Sequence, residues 1–304
     1  MLGLEFKQRL LFVTGKGGTG KSFLTAILGV VAANQGKKVL LVDSEATGAL
    51  AAHFEHEPVG YEPVEIANNI FLIQEYTDQA LSEYLNLNAK IPSWAKLTPL
   101  ARLIDLVSNA APGVREILIT GKICYEAKLM AEGESDYDLI IVDAPSSGHI
   151  ISLLDAPRAL SELVTRGMIQ SQTQWMQDIM TDKETTGVLV ACLTDEVVMS
   201  ETKELVQLIL DTTDVNIEGI IVNRDFSNGT IDSTPGILSK NSESPRLVKL
   251  ESYYLDKAEQ SRLAIDYFKN FNICSFPQLS ETTSSLRSLN KNACEFRKIS
   301  EAKT

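Results

Sequence analysis

The chain has 304 residues, 44% of them hydrophobic, a formal charge of −12 and four cysteines. The acidic balance excludes a non-specific nucleic-acid surface, which needs a basic patch to displace counterions, so no nucleic-acid partner is expected. Cys124, Cys192, Cys274 and Cys294 are isolated, with no C-x-x-C pair, which excludes a disulfide framework or thiolate zinc site and fits a reducing cytoplasm.

Met1 to Gln8 mixes polar and apolar residues and lacks the hydrophobic core of a signal peptide. The longest apolar segment, Phe23 to Ala33, is interrupted by Thr25 and Gly29. It falls short of the roughly 20 residues of a membrane crossing. A soluble cytoplasmic protein is expected. The apolar run Leu10-Leu11-Phe12-Val13 leads into Gly15-Lys16-Gly17-Gly18-Thr19-Gly20-Lys21-Ser22, and Phe23-Leu24-Thr25-Ala26-Ile27-Leu28 follows. This reads as strand, glycine loop and helix, the context that the pattern G-x-x-x-x-G-K-[ST] requires. Glycines let backbone N–H groups converge on a polyphosphate without Cβ clashes, and the helix points its positive end at the same anion. Lys21 would neutralise the β- and γ-phosphates of a nucleotide, and the Ser22 hydroxyl would take a position on Mg²⁺.

Gln35-Gly36-Lys37-Lys38 stops the helix, and Val39-Leu40-Leu41-Val42 reads as a strand buried on both faces. Strand, helix and strand make a βαβ unit and predict a parallel sheet. Further strands are predicted at Ile70–Ile73, Leu139–Val142, Val188–Leu193, Gly219–Val222 and Ile273–Phe276. Six or seven strands with helices between them predict a doubly wound, mostly parallel α/β P-loop NTPase, one domain over 1–304. Apolar residues at threes and fours predict helical insertions over about 77–132 and 157–182, forming a helical subdomain. The Ser-, Asn- and Gly-rich stretch from Asp225 to Pro245 is expected to be a loop.

Two strand ends carry carboxylates. Asp43 and Glu45 follow Val42, and Asp143 follows Val142 in Asp143-Ala144-Pro145-Ser146-Ser147-Gly148-His149. In a parallel α/β sheet that edge is where ligands bind. Asp43 would contact metal-bound water, Glu45 the attacking water, and Asp143 would hold a water on Mg²⁺ from the Walker B position. Pro145 and Gly148 punctuate a loop able to change shape with the γ-phosphate.

The second lysine, Lys16, makes the loop resemble the deviant Walker A of the MinD, ParA, nitrogenase-iron-protein and ArsA group of dimeric ATPases. The loop GKGGTGKS, the carboxylate-bearing segment after the second strand and DAPSSGHIISLL together resemble the ArsA family. That family includes the arsenical-pump ATPase and the eukaryotic ATPase that delivers tail-anchored membrane proteins. Its second switch, approximately DTAPTGHTLRFL, aligns without a gap on Asp143 to Leu154, and the likeness runs on through Glu201-Thr202 and Gly219 to Arg224. Similarity is greatest to a bacterial branch of anion-transporter ATPases, and it extends to Ala111 through Lys122, a segment with no derivable chemistry.

The resemblance implies that Lys16 reaches across a two-fold interface to the partner's nucleotide and that Asn223 recognises adenine through its side-chain amide. Pro277, at the end of the last predicted strand, joins Asn223 in the nucleotide-binding set with Gly15, Gly17, Gly18, Thr19 and Gly20. It also implies a homodimer, or a heterodimer with an ArsA-like paralogue, serving a membrane transporter or a membrane-protein client. The chain departs from the family at its first switch, approximately TDPAHNL, whose catalytic aspartate aligns with Glu45. The interfacial C-x-x-C site is also absent. A glutamate places its carboxylate about 1 Å further out, which slows a positioned attack. A slow or non-hydrolysing regulatory subunit is therefore the alternative.

His149 reads as a hydrogen-bonding switch residue, with a general base as the other reading. His53 and His56 read as a polar helix end, with a metal site as the other. Met130, Met168, Met176 and Met180 are core filling or line a groove for an apolar client. From Ser284 to Thr304 an amphipathic helix closing on the core is expected.

Overall fold

The computed structural model describes residues 6–74, 79, 114–163, 168–227, 245–279 and 285–300. In chain order these form β1 (Leu10–Gly15), α1 (Lys21–Asn34), β2 (Val39–Asp43), α2 (Ala49–His53), β3 (Val64–Ala67) and β4 (Ile70–Gln74). Then come α3 (Val114–Glu132), β5 (Leu139–Asp143), α4 (Gly148–Leu163), α5 (Met168–Thr181), β6 (Thr186–Cys192) and α6 (Glu196–Thr212). The series ends with β7 (Ile217–Asp225), α7 (Pro245–Tyr267), β8 (Ile273–Pro277), α8 (Leu286–Ala293) and β9 (Arg297–Ser300).

The strands form one sheet in the order β3-β4-β2-β5-β1-β6-β7-β8-β9. All neighbours are parallel except the two outer pairs, β3 with β4 and β8 with β9. The seven expected apolar runs are all strands, and the doubly wound α/β fold is confirmed. β1, β2, β5 and β6 are buried at every position, which explains why they read as unbroken apolar runs rather than alternating ones. Helices cover both faces. Leu24, Ile27 and Leu28 of α1, Leu50 of α2 and Leu289 of α8 pack on one face. Ile119 and Ile123 of α3, Leu153 of α4, Met176 and Met180 of α5, Ile209 of α6 and Ala264 of α7 pack on the other. Met176 and Met180 are therefore core residues, and Met130 packs partly buried against the same cluster. The side chain of Met168 lies outside the described residues.

The C-terminal segment, an added strand and the start of α4 differ from the sequence expectation. The C-terminal segment is not one helix. α8 ends at Ala293, Cys294 and Glu295 turn, and β9 pairs antiparallel with β8. Phe296 is buried against Phe276, with ring centroids 6.2 Å apart, so its apolar signal belongs to the core and not to a helix face. β3 is also additional, a four-residue strand too short to show an alternation. Of the first expected helical insertion, Val114–Glu132 is helix, and residues 80–113 lie outside the described residues, as do 228–244 of the expected loop.

The second insertion resolves into two helices, the first of which starts at Gly148 and runs through Pro157. Proline removes the N–H that would bond the carbonyl four residues earlier. That carbonyl belongs to Leu153, and it accepts instead from Thr120 Oγ1 of α3 at 2.9 Å. Thr120 and Leu153 are both buried, so the bond is made without competition from water. Thr120→Val keeps the volume and removes the donor. It is expected to destabilise the chain by about 1–3 kcal/mol in chemical denaturation, with the denaturant slope unchanged.

Candidate functional site

The glycine loop follows β1, whose neighbours are β5 and β6, and it opens directly into α1. The N-cap of α1 is Gly20, with φ 88°, no side chain caps the helix, and no acidic residue occupies its first turn. Its first-turn amides are thus left to an anion. Gly20 is required for two reasons: its φ lies in the left-handed region, and a Cβ there would lie 2.5 Å from Asn223 Nδ2. The loop is braced from within and from β7. Thr19 donates from its backbone N (3.3 Å) and from Oγ1 (2.8 Å) to Lys16 O, and Asn223 Nδ2 donates to Thr19 O at 2.8 Å. Asn223 Oδ1 accepts from the backbone N of Arg224 at 2.9 Å. Pro277 pairs with Asp225, two residues beyond Asn223.

The carboxylates converge as the strand ends require. Asp43 and Asp143 are register partners across β2 and β5, and Asp143 is the partner of Val13 across β5 and β1. Ser44 ties the two loops together, donating to Asp143 O from its backbone N (3.4 Å) and from Oγ (2.7 Å). On the other side, Thr14 Oγ1 donates to Pro145 O at 2.7 Å, and Ser147 N to Gly15 O at 3.3 Å. The loop after β5 is thereby stitched to the glycine loop.

Asp143 is buried, and one of its oxygens, Oδ1, has no hydrogen-bond partner. Burial pushes its carboxyl up to about 7. The Ser22 hydroxyl, bonded to it, and the charge of Lys21 act against that rise, while Asp43 and Glu45 add to it. A buried carboxylate with a spare oxygen beside a serine hydroxyl and a lysine fits a hydrated divalent cation that also touches phosphate oxygens. Mg²⁺ takes few protein ligands in such sites and keeps several waters. Among the described residues no group of three or more His, Cys, Asp or Glu could by itself hold a metal ion.

Asp43 is turned to its own loop. Oδ2 accepts from Gly48 N at 2.8 Å, Gln74 Nε2 at 3.1 Å and Thr47 Oγ1 at 3.4 Å. Glu45 lies exposed on the turn so formed, followed by Ala46 with φ 51°. Lys16 pairs with Glu201 Oε1 of α6 at 2.7 Å within the same chain. His149 is exposed in the first turn of α4, and His53 meets the edge of Phe23 with centroids 5.7 Å apart. In the segment of unassigned chemistry, Arg115 Nη2 donates to Ser44 O at 3.4 Å, and Lys122 pairs with Glu126 at 3.0 Å over the ring of Tyr61. Sequence reasoning missed Ser44 and Gln74. A polar residue ending an apolar strand on the ligand edge was the signal for Gln74.

The sequence matches the anion-transporting ATPase family over residues 8–176 and 168–293. The chain belongs to that family. It is 31% identical over 224 residues to the ATPase BagA of Mycobacterium tuberculosis, covering 72% of this chain and 65% of that protein. It is 26% identical over 160 residues to the putative arsenical pump-driving ATPase 2 of Aquifex aeolicus, covering 52% of each. It is 22% identical over 335 residues to the ATPase GET3 of Kluyveromyces lactis, covering 96% of this chain and 90% of that protein. The chain thus spans about two thirds of the length of that mycobacterial protein.

Proposed function

We propose that this chain is a magnesium-dependent ATPase that works as a nucleotide-switched dimer, of two copies or with a paralogue of its family. The observation that carries the reading is the uncapped helix α1 behind the glycine loop, facing the buried Asp143 whose spare oxygen lies beside Ser22 and Lys21. The loop amides from Gly15 to Ser22 and Lys21 bind the β- and γ-phosphates. Ser22 and Asp143 would hold Mg²⁺, which would neutralise charge on the phosphates. Glu45 orients the attacking water, and Asn223 and Pro277 border the base. Lys16 leaves Glu201 and reaches the partner's nucleotide, a cationic contribution of the kind worth orders of magnitude in phosphoryl transfer.

Hydrolysis is coupled to anion transport or to membrane-protein targeting in the cytoplasm. The family description and the name of the Aquifex relative support transport. Among the described residues no helix is long and apolar enough to cross a membrane, and the transport reading pairs the chain with a membrane transporter. The isolated cysteines do not favour arsenite as the anion. One observation favours a second reading, a nucleotide-binding regulatory subunit: Glu45 stands exposed where the resembled family carries an aspartate.

The test is ATP turnover of the purified protein with Mg²⁺ and with EDTA, alone and with its paralogue, alongside its mass in solution with and without ATP. Magnesium-dependent turnover that rises with protein concentration supports the reading. ATP binding with no turnover in any mixture supports the regulatory subunit instead. Glu45→Gln is expected to bind ATP normally, lose at least about 100-fold in turnover and accumulate as an ATP-bound dimer by light scattering.

A further inference from the structure

We propose that Asp43 is a positioning residue for the hydrolysis, a buried carboxylate that fixes the turn bearing Glu45, with Gln74 as its brace. The proposal rests on the ATPase reading and adds to it a residue that never touches nucleotide or metal. Asp43 ends β2 and is 1% exposed. Its main chain and side chain both hold the turn: Ala46 N donates to Asp43 O at 3.2 Å, and Gly48 N to Oδ2 at 2.8 Å. Residues 44–48 thus close on a single anchor. Two of them, Ala46 at φ 51° and Gly48 at φ 75°, sit in the left-handed region. A non-glycine residue holds that conformation only where its surroundings over-determine it. The charge-assisted bond from the Gly48 amide supplies the constraint.

Gln74 holds the anchor in turn. It is the register partner of Asp43 across β2 and β4, is 1% exposed, and gives Nε2 to the same oxygen that Gly48 and Thr47 address. With Oδ2 so occupied and Oδ1 reached, among the described residues, by Thr47 Oγ1 at 3.5 Å, the carboxylate is oriented by its own loop, not toward the Ser22–Asp143 pair. Glu45 therefore inherits its place from a turn fixed at both ends, and loss of the anchor should lower the rate of the chemical step while leaving nucleotide and metal binding alone.

The experiment compares Asp43→Ala, Asp43→Asn and Gln74→Ala in kcat, KM for ATP and the Mg²⁺ concentration for half-maximal rate. Amide exchange of the peptide spanning 44–50 is followed in each. Asp43→Ala is expected to lower kcat about 100-fold, with KM and the Mg²⁺ requirement within about threefold of the parent, and to lose protection in that peptide. Asp43→Asn keeps an acceptor for Gly48 and Gln74, so it should recover at least tenfold of the lost rate and the protection. Gln74→Ala should lose less rate than Asp43→Ala, and the double variant should be no slower than Asp43→Ala alone. An equal rise in the Mg²⁺ requirement in Asp43→Asn and Asp43→Ala would make Asp43 a metal group and overturn the proposal, as would an unrescued kcat in Asp43→Asn. If Asp43→Ala does not fold, Gln74→Ala with unaltered kcat and exchange overturns it. If the parent protein does not hydrolyse ATP, the ATPase reading has failed, and exchange in the 44–50 peptide alone decides the anchor.

Discussion

Lys16→Ala is expected to bind ATP within a few-fold of the parent and to turn it over at least about 100-fold more slowly. The two effects separate because the loop uses the backbone of Lys16, whereas the proposed mechanism uses its side chain. Lys16 O, which accepts both bonds from Thr19, survives the substitution, so the loop keeps its shape. The Lys16 side chain is 44% exposed and paired with Glu201 on its own chain, and an ion pair that open contributes at most about 1 kcal/mol to stability. Its removal should leave the melting temperature nearly unaltered. Only a cation that meets the transition state accounts for a large loss of rate, and such cations are worth about 10³–10⁵-fold in related chemistry. Titration with a fluorescent ATP analogue and a phosphate-release assay check the split. Unchanged turnover would reject the trans-acting lysine. Glu201→Gln frees Lys16 at little cost, so it should raise turnover several-fold at low protein concentration and be silent in the Lys16→Ala background.

Asp143→Asn should stabilise the nucleotide-free chain above neutral pH while reducing magnesium-dependent turnover by at least about 100-fold. Burial raises the Asp143 carboxyl from the usual carboxylate range to about 7. A group whose folded value lies above its unfolded value contributes stability below the unfolded value, near 4, and that contribution is lost as pH rises through the folded value, near 7. Without metal, the ionised form at pH 8 therefore works against folding by on the order of 2–4 kcal/mol. Asparagine cannot ionise and should flatten melting temperature against pH between about 4 and 8. In the parent protein Mg²⁺ with ATP should reverse the deficit, because a dication bound near Asp143 would favour the ionised carboxylate. Thermal melts across that range, with and without Mg²⁺ and ATP, read both halves. A variant that melts lower than the parent at pH 8 would contradict the assignment.

Most of the sheet was legible in sequence because its strands are buried on both faces, and unbroken apolar runs such as Leu139 to Val142 have few other readings. The tail was misread for a related reason. Phe296 and Ile299 continue the spacing of Leu286, Leu289 and Ala293, and nothing local says that Cys294 and Glu295 turn the chain to meet β8. The start of α4 at Gly148 was hidden by Pro157, whose missing N–H is compensated by Thr120, a residue on α3. No reading of neighbours along the chain reveals such a bond.

The candidate site divides the same way. Residue type and spacing alone determined the glycine loop between β1 and α1, because a glycine-rich turn between strand and helix is a local structure, and strand-end carboxylates fall on one edge of any parallel sheet. The direction in which each carboxylate turns was decided only by packing. Asp43 and Asp143 both follow a valine at the end of an apolar strand. Yet Asp43 is filled by Gly48 and Gln74, while Asp143 keeps an unpartnered oxygen beside Ser22. Hydrogen bonds between residues far apart in sequence make that difference, and they exist only once β2 lies between β4 and β5.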